Sequence, residues 1–239
     1  MSAAGRAALA GLALALVAAA PPTPERWATD PLDRLSPSVE AALDARLGMF
    51  EARTGHQVLL WIGEAGDTDP ETFAVEAFEA WGVGGADRDD GLVLFLLDDL
   101  RAARIEVGYG LEGEVPDITA AQILRESVLP ALATGAWDQA ATTGIDRLLV
   151  AIDPEAARAT ATAPSPAAPA ERRPMTLAEQ VMIGIVGVAF LALLIWRPHL
   201  ALWLLWAVMR GMGRGGGGGD GGFRGGGGRS GGGGASGSW

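Results

Sequence analysis

Six carboxylates fall in two short runs on either side of a pair of apolar segments. Asp87, Asp89 and Asp90 directly precede Leu92–Leu97, and Glu112, Glu114 and Asp117 directly follow Ala103–Tyr109. Converging carboxylates repel one another unless a proton or a cation intervenes, and Ca2+ takes six to eight oxygens at about 2.3–2.6 Å. Asp89, Asp90, Glu112 and Asp117 are therefore the candidate ligands of a Ca2+ or Mg2+ site. The alternative is structural: loop carboxylates that accept backbone N–H groups and hold glycine turns, with Asp117 placed to cap the helix after it. The run is not an EF-hand, because Gly91 stands fifth counted from Asp87 and the turn glycine of that loop belongs at the sixth position.

Other chemistries lack their residues. The chain has no cysteine, which removes thiolate catalysis, disulfides and cysteine-ligated zinc. It has no lysine, so a phosphate-cradling Walker loop is excluded. His56 is the only histidine between residues 27 and 153 and has no second histidine for metal chemistry, so it is read as a structural or surface residue. Residues 25–153 carry 25 Asp and Glu against 9 Arg, whereas the rest of the chain is net positive. A strongly acidic domain repels phosphate backbones, so no nucleic-acid partner is expected. Solubility, cation binding or a basic partner suits that charge.

The two acidic runs need a scaffold to bring them together. Gln57–Ile62 and Leu92–Leu97 are continuous apolar runs bounded by turn residues, the pattern of buried strands. A helix opening at Pro70 and carrying Phe73, Ala77, Phe78 and Trp81 separates them, which predicts a parallel crossover. Only Asp98–Arg101 separates the second strand from the third, Ala103–Tyr109, which predicts an antiparallel hairpin. That hairpin sets the start of the second strand beside the end of the third, so both acidic loops meet at one sheet end. On the third strand Ile105, Val107 and Tyr109 share one face, and Arg104 and Glu106 share the other.

Three more helices are expected. One begins at Pro37 with Ser36 as its N-cap and stops at Thr54-Gly55; one runs from Thr119 and is ended by Pro130; one begins near Trp137 and ends at Asp153. The fold class is thus α/β over residues 27–153: a small mixed sheet with helices on its faces, in two or three layers.

The flanks read differently. Residues 1–20 have the layout of a signal peptide, a basic Arg6 followed by a charge-free apolar run and small residues. Residues 154–174, rich in Ala, Pro, Thr and Ser, read as a tether. Leu177–Trp196 is long enough for a transmembrane helix, and residues 200–209 form a second, shorter apolar segment with Trp203 and Trp206. One span with an interfacial segment puts the tail in the cytoplasm, opposite an extracytoplasmic domain, as the following arginines favour. A helical hairpin turning at Arg197-Pro198 would instead return the tail to the domain's side. Residues 211–239 hold 18 glycines in 29 positions and have almost nothing to bury, so they read as disordered.

Trp81-Gly82-Val83-Gly84, Asp89-Asp90-Gly91, Gly108-Tyr109-Gly110-Leu111-Glu112-Gly113 and Asp117 together resemble the TPM domain family, which has thylakoid, nematode and many bacterial members. Ser36, Thr54-Gly55 with Gln57, and Gly135-Ala136-Trp137-Asp138 extend the likeness over residues 30–153. The layout of leader, domain, span and glycine-rich tail ending Ala-Ser-Gly-Ser-Trp is also similar to bacterial members. Two positions depart from the pattern: Asp90 stands where the family usually has Asn, and the usual Val-x-Asp-x-Ala opening is degraded to Ala28-Thr29-Asp30-Pro31-Leu32. The resemblance implies a membrane-anchored accessory or regulatory module acting on a membrane protein or complex at the lipid bilayer. As the alternative, it implies a metal-dependent activity like that of the plant members described as acid phosphatases.

Overall fold

A computed structural model describes residues 22–161 and 222–239. In chain order the elements are β1 (Ala28–Thr29), α1 (Pro37–Thr54), β2 (Gln57–Gly63), α2 (Pro70–Trp81), β3 (Gly91–Leu97) and β4 (Ala102–Gly108). They continue with α3 (Asp117–Ile123), α4 (Leu129–Ala133), α5 (Trp137–Ile152), α6 (Pro154–Ala161) and β5 (Ser230–Ser238).

The strands form one sheet in the order β1-β2-β3-β4-β5. β2 lies parallel to β3 with Gln57 opposite Gly91, and β3 lies antiparallel to β4 with Leu92 opposite Val107. The crossover and the hairpin are therefore as the connections predict. β2, β3 and β4 are buried along their whole length, because helices cover both faces and side chains pointing either way are excluded from water.

The result is three layers. On one face Val58, Leu60, Leu92, Leu94, Ile105 and Val107 pack with α1 and α3–α6. On the other, Leu59, Trp61, Val93 and Phe95 pack with Phe73, Ala77, Phe78 and Trp81 of α2. Trp61, Phe73, Trp81 and Phe95 lie with ring centroids 5.2–6.1 Å apart, mostly tilted or edge-on, the arrangement their quadrupoles favour. Trp81 is thus a core residue, while Tyr109, just past β4 in a single 3-10 turn, is 56% exposed.

Helix ends follow local chemistry in part. Gly55 closes α1 at φ 80° with its N–H on the Glu51 carbonyl, and Asp69 caps α2 by accepting the Thr72 N–H at 3.0 Å. Ser36 departs from expectation: it makes no side-chain cap, and its own N–H donates to Asp138 Oδ1 of α5 at 2.8 Å. Pro130 also departs. The helix runs on past it, because a π turn at Leu124–Val128 comes first and the Leu129 N–H reaches back to the Leu124 carbonyl. Proline lacks the N–H an α-helix would need there and crowds the preceding turn, and the wider turn accommodates it.

Three expectations about the flanks meet the structure. Residues 154–161 are helical, not tether: Asp153 Oδ1 accepts the N–H groups of Glu155 and Ala156, and Ala156 and Ala157 bury against the core. The glycine-rich tail is not disordered over residues 222–239. It docks on the domain, and β5 pairs antiparallel with β4 from Ala102↔Ser238 to Glu106↔Gly234 and on to Gly108↔Ser230, with a register shift at Val107/Gly108. The signal peptide, most of the tether and both apolar segments lie outside the described residues, and no described helix is long and apolar enough to cross a membrane. Paired strands must share a compartment. A single span leaving domain and tail on opposite faces is incompatible with β4–β5 pairing, whereas the hairpin alternative is compatible with it.

Candidate functional site

The hairpin register brings the loop before β3 and the loop after β4 to one end of the sheet, where the tail joins them. Asp89 ties the three together. Its backbone is left-handed at φ 50°, a conformation Asp tolerates better than most residues, and its carbonyl accepts the Gly110 N–H at 2.9 Å. Its Oδ1 then accepts the Arg229 N–H of the tail at 2.8 Å. Gly110 has to be glycine, since a Cβ there would overlap the Arg88 carbonyl oxygen.

Asp90 is 2% exposed and faces inward. Its Oδ1 accepts the Gly85 N–H at 2.9 Å, and its Oδ2 lies 3.2 Å from both His56 Nδ1 and Arg88 Nε. The charge that Asp adds where Asn is usual is thus offset by Arg88, and by His56 when protonated. Gln57 joins the same network: its Oε1 accepts the Gly84 N–H at 2.7 Å, and its Nε2 donates to Glu51 and to the Arg224 carbonyl of the tail. Its position opening a buried strand was the available sequence signal.

Asp117 does not cap α3. Its Oδ1 accepts the Gly234 N–H of β5 at 2.7 Å, and Pro116 occupies the N-cap. Asp117 and Glu112 line an open cleft of about 520 Å3 with Pro116, Ile118 and Gly231–Gly233.

Sequence reasoning missed a second pair of buried charges. Arg104 and Glu106 of β4 lie side by side, with Arg104 Nε and Nη2 donating to Glu106 Oε2 at 3.0 and 2.6 Å. The tail completes them: Ser230 Oγ donates to Glu106 Oε1, while Arg104 donates to Ser236 Oγ at 3.2 Å and the Gly232 carbonyl at 3.1 Å. Burial pushes the Glu106 carboxyl above its ordinary pKa, with the bonds from Ser230 and Arg104 opposing the shift. The alternating pattern placed both on one face but gave no hint of a fifth strand to cover them.

The four candidate ligands are therefore divided. Asp89 and Asp117 hold tail N–H groups, Asp90 holds Gly85, His56 and Arg88, and Glu112 stands exposed at the cleft. Among the described residues no three Asp, Glu or His side chains gather closely enough to hold a metal ion, so this arrangement does not fit a Ca2+ or Mg2+ site. The His56 ring nitrogen meets Asp90, and the Thr54 hydroxyl accepts the His56 backbone N–H at 3.1 Å. What the site does present is a row of acceptors for the backbone N–H groups of an extended strand.

The TPM domain family matches residues 28–151, more than half of the chain. Among solved structures, the N-terminal domain of a P. gingivalis protein, determined in solution by NMR, is 28% identical with a TM-score of 0.51. The match covers 55% of this chain and 84% of that one. No curated protein matches.

Proposed function

Because the chain belongs to the TPM domain family, we propose that it works as a non-catalytic recognition module of a membrane-protein complex, held at the extracytoplasmic face of a bilayer. The observation that supports this reading is that Asp89 and Asp117 of the acidic loops spend carboxylate oxygens on backbone N–H groups of an extended strand. A leader at 1–20 and apolar segments at 177–196 and 200–209 supply export and anchoring. Confinement at a membrane raises the effective concentration of neighbouring proteins, so weak contacts with a partner suffice.

A photo-crosslinker at exposed Tyr109 in the full chain, in native membranes, tests this. A defined membrane-protein adduct that fades with Asp89→Ala is the expected result. Adducts confined to abundant bystanders and indifferent to Asp89 would refute it. Hydrolysis of a phosphate ester that needs Ca2+ or Mg2+ and disappears in Asp89→Ala and Glu112→Ala would put the hydrolase reading in its place. A cation would have to compete with the tail for Asp89 and Asp117. The cation reading thus predicts that millimolar Ca2+ stabilises the chain only when docking is disabled.

A further inference from the structure

The outer edge of β4 and the two acidic loops form a groove shaped for one kind of strand. Side-chain anchors on the tail are few and spaced. Phe223 is buried among the aromatic residues under α2, Ser230 meets Glu106, Ser236 meets Arg104, and Trp239 stacks edge-on against Trp137 at 5.7 Å. Between these anchors the backbone itself is recognised. Gly227 and Gly228 donate to the carbonyls of Gly82 and Gly84, and Ala86 donates to Gly226. At Gly234, φ is 126° and a Cβ would overlap the Ile105 carbonyl oxygen. The pattern read is thus Phe-x6-Ser-x5-Ser-x2-Trp, with glycine required at Gly234 between the two serines.

The strand in the groove lies outside the stretch that the family match covers. The family match ends at residue 151, and residues 162–221, some sixty residues, connect α6 to the tail. β4 without β5 would be an edge strand bearing inward charges, Arg104 and Glu106, a device that discourages indiscriminate strand pairing. The tail satisfies those charges with Ser230, Ser236 and Gly232, so the groove favours this strand over others.

We propose that β4's groove is a strand-recognition site and the tail its exchangeable ligand, so that the tail of a second copy of this chain occupies it in trans and links neighbouring molecules. A groove that accepts this segment in cis meets identical chemistry in trans; only the connection differs. Confinement to a membrane favours the exchange by raising local concentration.

The native chain has no cysteine, which makes the test direct. Ala102 and Ser238 are cross-strand partners. Full-length Ala102→Cys and Ser238→Cys chains are mixed in lipid vesicles and treated with a short thiol crosslinker. A crosslinked dimer is expected that rises with protein-to-lipid ratio and falls at least tenfold when Gly234→Val is added to the Ser238→Cys chain. The doubly substituted chain is expected to link within one molecule as well. Internal linkage without any mixed dimer would show the tail to be a fixed part of its own domain and would overturn the exchange. A dimer indifferent to Gly234→Val, or no linkage even in the doubly substituted chain, would overturn the groove itself.

Discussion

Glu106 has no solvent exposure, and its charge rests on Arg104 and Ser230. Its carboxyl is held above the ordinary value because burial outweighs those two bonds. A raised carboxyl pKa in the folded state means that the unfolded chain binds fewer protons over the intervening range. The contribution of Glu106 to stability is therefore fullest below the unfolded value of about 4.3 and is lost as pH rises through the folded value. The unfolding midpoint of the native chain should fall relative to Glu106→Gln as pH rises through that window; parallel curves would deny the linkage. Asp90 differs in kind, being buried but fully partnered. Asp90→Ala leaves the Gly85 N–H without its acceptor and Arg88 Nε without its carboxylate, and a loss of about 1–3 kcal/mol in denaturant unfolding is expected.

At the scale of elements, β5 is the strand whose removal the rest of the sheet should survive. The two cores on either side of β2 and β3 are built from residues 28–157, and the tail adds Phe223 and partial burial of Ala235 and Trp239. In Gly234→Val, amides of β4 that pair with the tail should exchange faster by hydrogen–deuterium measurement, while α1 and α5 keep their protection. Uniform loss of protection would mean that β5 is integral to the fold. How much of these elements was legible follows from their periodicity. β2 and β3 were readable because long apolar runs between turn residues have few other uses, β4 was readable by its alternation, and the short Asp98–Arg101 connection fixed its pairing with β3. β1 was not readable: two residues carry no period, and their pairing with Leu60 and Trp61 is tertiary. Pro130 misled because a single proline reports the cost of an ordinary α-turn, not the presence of a π turn that avoids it.

Across the whole molecule, the docked tail would constrain any membrane arrangement of the chain. β4 and β5 exchange backbone hydrogen bonds, so domain and tail must occupy one compartment. A membrane-impermeant thiol reagent applied to sealed vesicles should modify Thr68→Cys, in the loop before α2, and Ser238→Cys from the same side. Modification from opposite sides would place the tail across the bilayer and exclude the pairing in cells.

The amino-acid sequence alone determined what depends on neighbours along the chain: the strand and helix runs, the hairpin, and the convergence of two acidic loops at one sheet end. Those features are written in short-range periodicity and turn chemistry, and the family pattern rests on the same glycines and carboxylates. The tertiary structure decided what the carboxylates do. A glycine-rich segment with nothing to bury looks disordered by its own composition, because no local term offsets its ordering entropy. Here the compensation comes from more than a hundred residues away: β4 offers an open edge, Arg104 and Glu106 need partners, and Asp89 and Asp117 accept N–H groups that glycine can bring close. Such complementarity between distant segments has no period to read, and only the folded chain brings its two halves together.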